Sequence, residues 1–109
     1  MMDKFSNDAK VFKALCDVNR LKILELLREG EKCACELQEN VDIVQSSLSY
    51  HMKILVESGI VESTHDGKWI YYKISQDGSD KAIEILREIT NVEDKNKAIH
   101  RCTSKCLVK

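Results

Sequence analysis

Val44-Gln45-Ser46-Ser47-Leu48-Ser49-Tyr50-His51-Met52-Lys53-Ile54-Leu55-Val56-Glu57 is the stretch whose reading decides the fold of this chain. Val44, Leu48, Met52 and Leu55 recur at helical spacing, so a helix is expected with these four residues turned to a core. Gln45, Ser46, Ser49, Tyr50 and Lys53 then fall together on the opposite face. Serine is an indifferent helix former, and a merely solvated face gives no reason to concentrate Ser46, Ser47 and Ser49. A hydrogen-bonding duty accounts for them better. Amides and hydroxyls pair with base edges in the major groove of duplex DNA, and a lysine neutralises phosphate.

Working outward, residues 33–40 suggest a short helix, and Val41-Asp42-Ile43 a tight apolar turn into the longer helix. Ser58-Gly59 stops that helix. Residues 60–64 and 69–74 read as two strands around His65-Asp66-Gly67-Lys68, whose Asp-Gly favours a hairpin turn. This hairpin is the only β structure expected. A supporting helix, a turn, a groove-facing helix and a hairpin follow the order of a winged helix-turn-helix. Lys68, at the hairpin tip, is the expected phosphate contact of the wing. Trp69 and one of Tyr71 and Tyr72 are expected to pack the hairpin onto the helices.

Further out, Phe5, Ala9, Val11, Phe12 and Leu15 make an apolar stripe on a first helix over residues 4–15. Residues 16–19 interrupt it, and residues 20–28 form a leucine-dense second helix that Gly30 ends. At the other end, Ser79 or Asp80 can cap a last helix whose Ala82, Ile83, Leu86, Ile89 and Val92 face a partner. These two stripes predict a symmetric homodimer.

The composition agrees and excludes other classes. With 109 residues the chain is expected to be a single domain, its residues 96–109 forming a polar tail that carries Cys102 and Cys106. Hydrophobic residues at 43% and charged residues at 32% suit a soluble globular fold, while zero prolines and four glycines favour helices over an all-β chain. No apolar run approaches the roughly 18 residues of a membrane span. The start, Met1-Met2-Asp3-Lys4-Phe5, lacks a secretory core, so a cytoplasmic protein is expected. The formal net charge of −1 gives no global signature for nucleic acid, so any DNA contact must be local. No Cys-x-x-Cys lies beside a βαβ pattern and no base is paired with a nucleophile, which argues against an enzyme.

Three stretches carry a resemblance: Ala14-Leu15-Cys16-Asp17-Val18-Asn19-Arg20-Leu21-Lys22-Ile23-Leu24, Gln45-Ser46-Ser47-Leu48-Ser49-Tyr50-His51-Met52-Lys53-Ile54-Leu55, and Gly67-Lys68-Trp69-Ile70-Tyr71-Tyr72. They resemble the signature stretches of the ArsR/SmtB family of metal-sensing repressors, over roughly residues 5–95. The resemblance implies a winged-helix dimer that holds double-stranded operator DNA and leaves it on binding a toxic metal or metalloid. The DNA-binding set is then Gln45, Ser46, Ser47, Ser49, Tyr50, His51, Lys53 and Lys68, with His51 either structural or groove-facing. Val44 departs from the family's hydroxyl residue at the helix start, which implies a looser first turn.

Five cysteines in a chain without a signal sequence read as thiols for metal or redox work. Cys33-Ala34-Cys35 is similar to the family's arsenic- and cadmium-type site, and sulfur ligands select soft ions. On a regular helix, residues two apart project about 200° from one another, so gripping one ion is expected to unwind the helix start. The inducers implied are As(III) or Sb(III), with Cd(II), Pb(II) or Zn(II), or a redox or sulfide signal, as alternatives. A third ligand could come from Cys102, Cys106 or Cys16, or be a solvent oxygen. Cys16 itself is expected to pack between the first two helices. No Asp-x-His with a distant His lies on the last helix, so the family's zinc site there is not carried over.

Overall fold

Asp17 shows how the local sequence starts its helices. The computed structural model describes residues 3–93, and in it the Asp17 carboxylate accepts the amides of Asn19 at 2.8 Å and Arg20 at 3.2 Å. That cap makes Val18 the first residue of α2 (Val18–Leu27), two residues ahead of the expected start at Arg20. The Arg20 amide first, with that of Asn19, lowers the Asp17 carboxyl below its ordinary value. The cap's contribution is therefore present above the ordinary carboxylate range and is lost only as pH falls through the lowered folded value. α1 (Lys4–Ala14) starts in the same way, from Asp3.

Over the described residues the architecture is a winged helix, five helices with a three-stranded antiparallel sheet. α3 (Ala34–Val41) is followed by Asp42 in the left-handed conformation at φ 59°, then by α4 (Gln45–Glu57). The hairpin is β2 (Val61–Asp66) and β3 (Trp69–Ile74), paired from Val61 with Ile74 to Asp66 with Trp69. Only Gly67-Lys68 remains as the turn, with Gly67 at φ 64°, which suits a glycine-first two-residue hairpin. The hairpin is not the only β structure. β1 (Lys32–Cys33) adds to β3, Lys32 opposite Tyr72 and Cys33 opposite Tyr71. A two-residue strand has no alternation to read, and its partner is remote in sequence.

The core is built from Ala14, Ile23, Leu27, Leu37, Leu48, Met52, Leu55 and Val61, all nearly inaccessible. Val44 does not join it: the side chain is 64% exposed, because the residue precedes α4 as its N-cap and so falls out of phase with the buried stripe. Its isopropyl group offers no cap bond, as the missing hydroxyl implied.

Arg20 locks the helices together. Its Nε donates to the Ala14 carbonyl at 2.9 Å, Nη2 to the Lys13 carbonyl at 3.1 Å, and Nη1 to His51 Nδ1 at 2.9 Å. One buried side chain thereby closes the C-terminus of α1 and fixes α4.

α5 (Gln76–Ile89) begins earlier than expected: Ser75, not Ser79 or Asp80, is the cap, its Oγ accepting the Gly78 amide at 3.0 Å. The Ser75 amide in turn donates to the Ile60 carbonyl at 2.8 Å, which sets the helix start at the end of β3. Ala82 and Ile85 pack toward the core, whereas Ile83, Leu86 and Ile89 are each about half exposed. Phe5 on α1 is 73% exposed. Lys4 and Glu88 form an ion pair between α1 and α5. Among the described residues no helix is long and apolar enough to cross a membrane.

A Cβ on Gly78 would stand 1.8 Å from the Gly59 carbonyl oxygen, a backbone atom. Gly78→Ala, which at an open helix position would gain about 1 kcal/mol, is therefore expected to cost about 2–3 kcal/mol here. Thermal unfolding checks the sign. An unchanged or raised Tm would mean that α5 does not seat this closely on the α4–β2 turn.

Candidate nucleic-acid interface and thiol site

The 3.6-residue period of α4 sorts its side chains into two faces. Leu48, Met52 and Leu55 are buried, while Gln45, Ser46, Ser49, Tyr50 and Lys53 are exposed and Ser47 is half-buried. His51 falls on the buried side, only 8% exposed. Arg20 can only donate, so His51 Nδ1 accepts and the ring proton sits on Nε2. A groove-facing role is thus corrected to a structural one, because the ring faces Arg20 and lies 4.0 Å from Asp17 Oδ1. Tyr50 rests edge-on against the His51 ring, centroids 5.5 Å apart, while 60% exposed to solvent.

On one flank of α4 the wing closes a cleft of about 280 Å³ lined by Cys35, Gln38, Gln45, Ser49, Lys68 and Trp69. Lys68 lies over the Trp69 ring, Nζ 5.6 Å from its centroid. Trp69 is half exposed at 49%, so the expected packing against the helices falls to Tyr72, which meets the core. The reason is position: Trp69 is the first residue after the turn, at the rim of the cleft and not in the core. Burial raises the Tyr72 phenol above its ordinary value. On the other flank, a second depression brings Lys10 and Lys13 of α1 beside Tyr50 and Lys53. The sequence reading missed these two lysines, since nothing in a helix's polar face says what lies across from it.

The thiol pair does not have the helical spacing the sequence suggested. Cys33 is not inside a helix: it ends β1 and is the N-cap of α3, extended at φ −80° and ψ 159°. The 200° separation expected for two helical residues therefore does not apply. The neighbouring Cys33 side chain first, then partial loss of water, then the Cys33 charge push the Cys35 thiol above its ordinary value. The Cys33 amide donates to Glu36 Oε1 at 3.0 Å and holds the Glu36 carboxyl low. This fixes the first turn of α3. Cys16 is exposed instead of packed between α1 and α2, since it follows the end of α1. Cys102 and Cys106 lie outside the described residues. Among those described, no third His, Cys, Asp or Glu joins Cys33 and Cys35 in a metal-binding cluster.

Comparison with known proteins gives a consistent picture. Residues 17–63 match the family described as bacterial regulatory protein, arsR family. An arsenical resistance operon repressor of Staphylococcus aureus is 38% identical over 95 residues, 87% of this chain and 86% of the relative. An uncharacterized HTH-type transcriptional regulator of Methanocaldococcus jannaschii is 36% identical over 89 residues, 81% of this chain and all of that protein. A solved ArsR-like transcriptional regulator from Rhodococcus sp. RHA1 superposes with a TM-score of 0.69 at 28% identity, over 78% of this chain and 80% of that one.

The paired thiols carry their own test. Alkylation of Cys35, followed by mass spectrometry across a pH series, is expected to titrate above an ordinary cysteine, and Cys33→Ala should bring it back toward the ordinary value. If Cys35 titrates normally in the parent protein, the two sulfurs do not face one another.

Proposed function

The chain belongs to the arsR family of bacterial regulatory proteins and is not an enzyme; from that premise we propose that it represses transcription as a homodimer on operator DNA and lets go when Cys33 and Cys35 bind a soft metalloid or metal ion. Gln45, Ser46, Ser47, Ser49 and Tyr50 read base edges, and Lys53 and Lys68 meet phosphate. The exposed faces of α1 and α5, with Phe5, Ile83, Leu86 and Ile89, pair the two subunits.

One observation carries the sensing half of this reading: Cys33 is shared between two parts that must be set correctly for DNA. On its N-terminal side it is laddered to Tyr71 in the wing strand, and on its C-terminal side it caps the helix that supports α4. Cys35 opens onto the cleft that also holds Gln45, Ser49 and Lys68. An ion held by both thiolates displaces their protons and adds charge and bulk at that junction. No unwinding of a formed helix is required. A coupling of about 1–3 kcal/mol would lower operator affinity on the order of 5–150-fold.

As(III) and Sb(III) are the favoured inducers, supported by the arsenical repressor among the relatives and by sulfur chemistry. Cd(II), Pb(II) and Zn(II) share the preference for thiolate and are the alternatives. Cys102, Cys106 or a solvent oxygen completes the coordination. A second reading draws on two thiols only one residue apart, the first outside the helix: they could instead give two electrons and two protons to a peroxide and close a disulfide. Intact mass after arsenite or peroxide separates the readings, a gain of the ion's mass against a loss of two hydrogens.

Ser49→Ala and Tyr50→Ala are expected to weaken binding to the operator about tenfold each while leaving binding to unrelated duplexes unchanged. Lys68→Ala should weaken both equally and reduce the salt dependence. Equal affinity of all three variants and the parent would move the DNA surface elsewhere.

The switch is tested with Cys33→Ser, Cys35→Ser, a pair of near-isosteric changes that removes the soft ligands. This variant should bind operator like the parent and stay bound when arsenite or antimonite is added. Release at the parental ion concentration would place sensing at other cysteines.

A further inference from the structure

Two clefts flank the exposed face of α4, and they are alike in make-up. The wing-side cleft sets Lys68 beside Gln45 and Ser49. On the opposite side, a depression of about 290 Å³ sets Lys10 and Lys13 beside Tyr50 and Lys53, three cations against the one carboxylate in its lining, Glu57. All three of Lys10, Lys13 and Lys53 are exposed, and among the described residues none of them is within ion-pair distance of a carboxylate. Lys4, Lys32 and Lys73 are by contrast engaged, with Glu88, Glu29 and Glu62. Uncommitted cations gather where α1 meets α4.

A helix lying in a major groove has a sugar-phosphate backbone on each side, because the groove is bounded by both strands and is about 12 Å wide. Lys68 of the wing serves only one of them. We propose that Lys10 and Lys13 of α1, with Lys53, form the contact to the phosphates of the second strand, so that the recognition helix is held from both flanks. The inference rests on the reading of α4 as the groove-facing helix and extends it to an element outside the helix-turn-helix. The position of Lys13 is not left to chance: its own carbonyl is held by Arg20, and Arg20 also holds His51 of α4. The spacing between the α1 lysines and the exposed face of α4 is thereby set by one buried guanidinium. Lys10, one turn earlier, extends the basic strip along α1.

The contact is to phosphate, so it adds affinity for any duplex and no sequence preference. Loss of each phosphate contact lowers the slope of log K against log salt by about 0.9, which makes about 1.8 per protomer for two lysines. The test is a salt titration of Lys10→Gln, Lys13→Gln on a duplex selected by the parent protein from a randomised pool and on a scrambled duplex, with Lys10→Arg, Lys13→Arg alongside. Expected are a shallower slope by roughly that amount, an equal fold-loss on both duplexes, and a parental slope for the arginine pair. An unchanged slope in the glutamine pair, with the parent still binding its selected duplex, overturns this contact and leaves the groove reading standing. A loss of affinity without a change of slope also overturns it, since that is the mark of a structural effect. A parent that selects no duplex at all overturns the groove reading and this contact together.

Discussion

The guanidinium of Arg20 is the constraint on which the rest of the structure depends. A helix ends with carbonyls that have no partner within it, and a buried arginine is costly unless its donors are used. α1 and Arg20 answer each other: the Lys13 and Ala14 carbonyls take two donations, and the third goes to His51 of α4. No buried side-chain nitrogen or oxygen among the described residues is left without a partner. The cation also sits at the negative end of the α1 macrodipole. Asp17, capping the helix that carries Arg20, completes the arrangement from the anionic side. The orientation of α4, and so of its exposed polar face, is an outcome of this network as much as of the apolar core.

A second constraint runs through the sheet. β1 is too short to be stable alone, yet its two residues tie the start of α3 to the wing. Cys33 belongs to both. A local change there has two short mechanical routes to the proposed DNA surface, one along β3 toward Lys68 and one through α3 into the turn at Asp42. The left-handed Asp42 and the hydrogen bond from its amide to the Gln38 carbonyl leave little slack between α3 and α4. Such a stiff connection suits a switch in which small displacements are passed on.

Charge is distributed with the same economy. The formal net charge of −1 would not attract a polyanion from a distance. Lys10, Lys13 and Lys53 on one side of α4 and Lys68 on the other are without an ion pair among the described residues, which places positive charge locally on both flanks of that helix. Phe5 of α1 and Ile83, Leu86 and Ile89 of α5 lie away from the core, whereas Val11 and Ala14 of α1 are in it and Ala82 and Ile85 of α5 pack against it. This helix buries no residue completely within one chain, a fact that a second subunit would explain.

Much of this was legible in the residues. The period of Leu48, Met52 and Leu55 against Ser46, Ser49 and Tyr50 determined α4 and its two faces, because helical geometry is local. The Asp-Gly turn determined the hairpin, and Cys33-Ala34-Cys35 marked the thiols. Other features needed long-range contacts. His51 lies between the exposed Tyr50 and the buried Met52, and is held on the buried side by Arg20 reaching it from α2; β1 exists because β3 comes alongside; Ser75 is the α5 cap because Ile60 holds its amide. Cys33 lies outside the helix that holds Cys35 because the sheet keeps it extended. Sequence alone determined what each segment could form, since propensity and periodicity act over a few residues. Only the tertiary structure decided which groups meet, since a hydrogen bond or a cleft joins atoms whose separation along the chain carries no local signal.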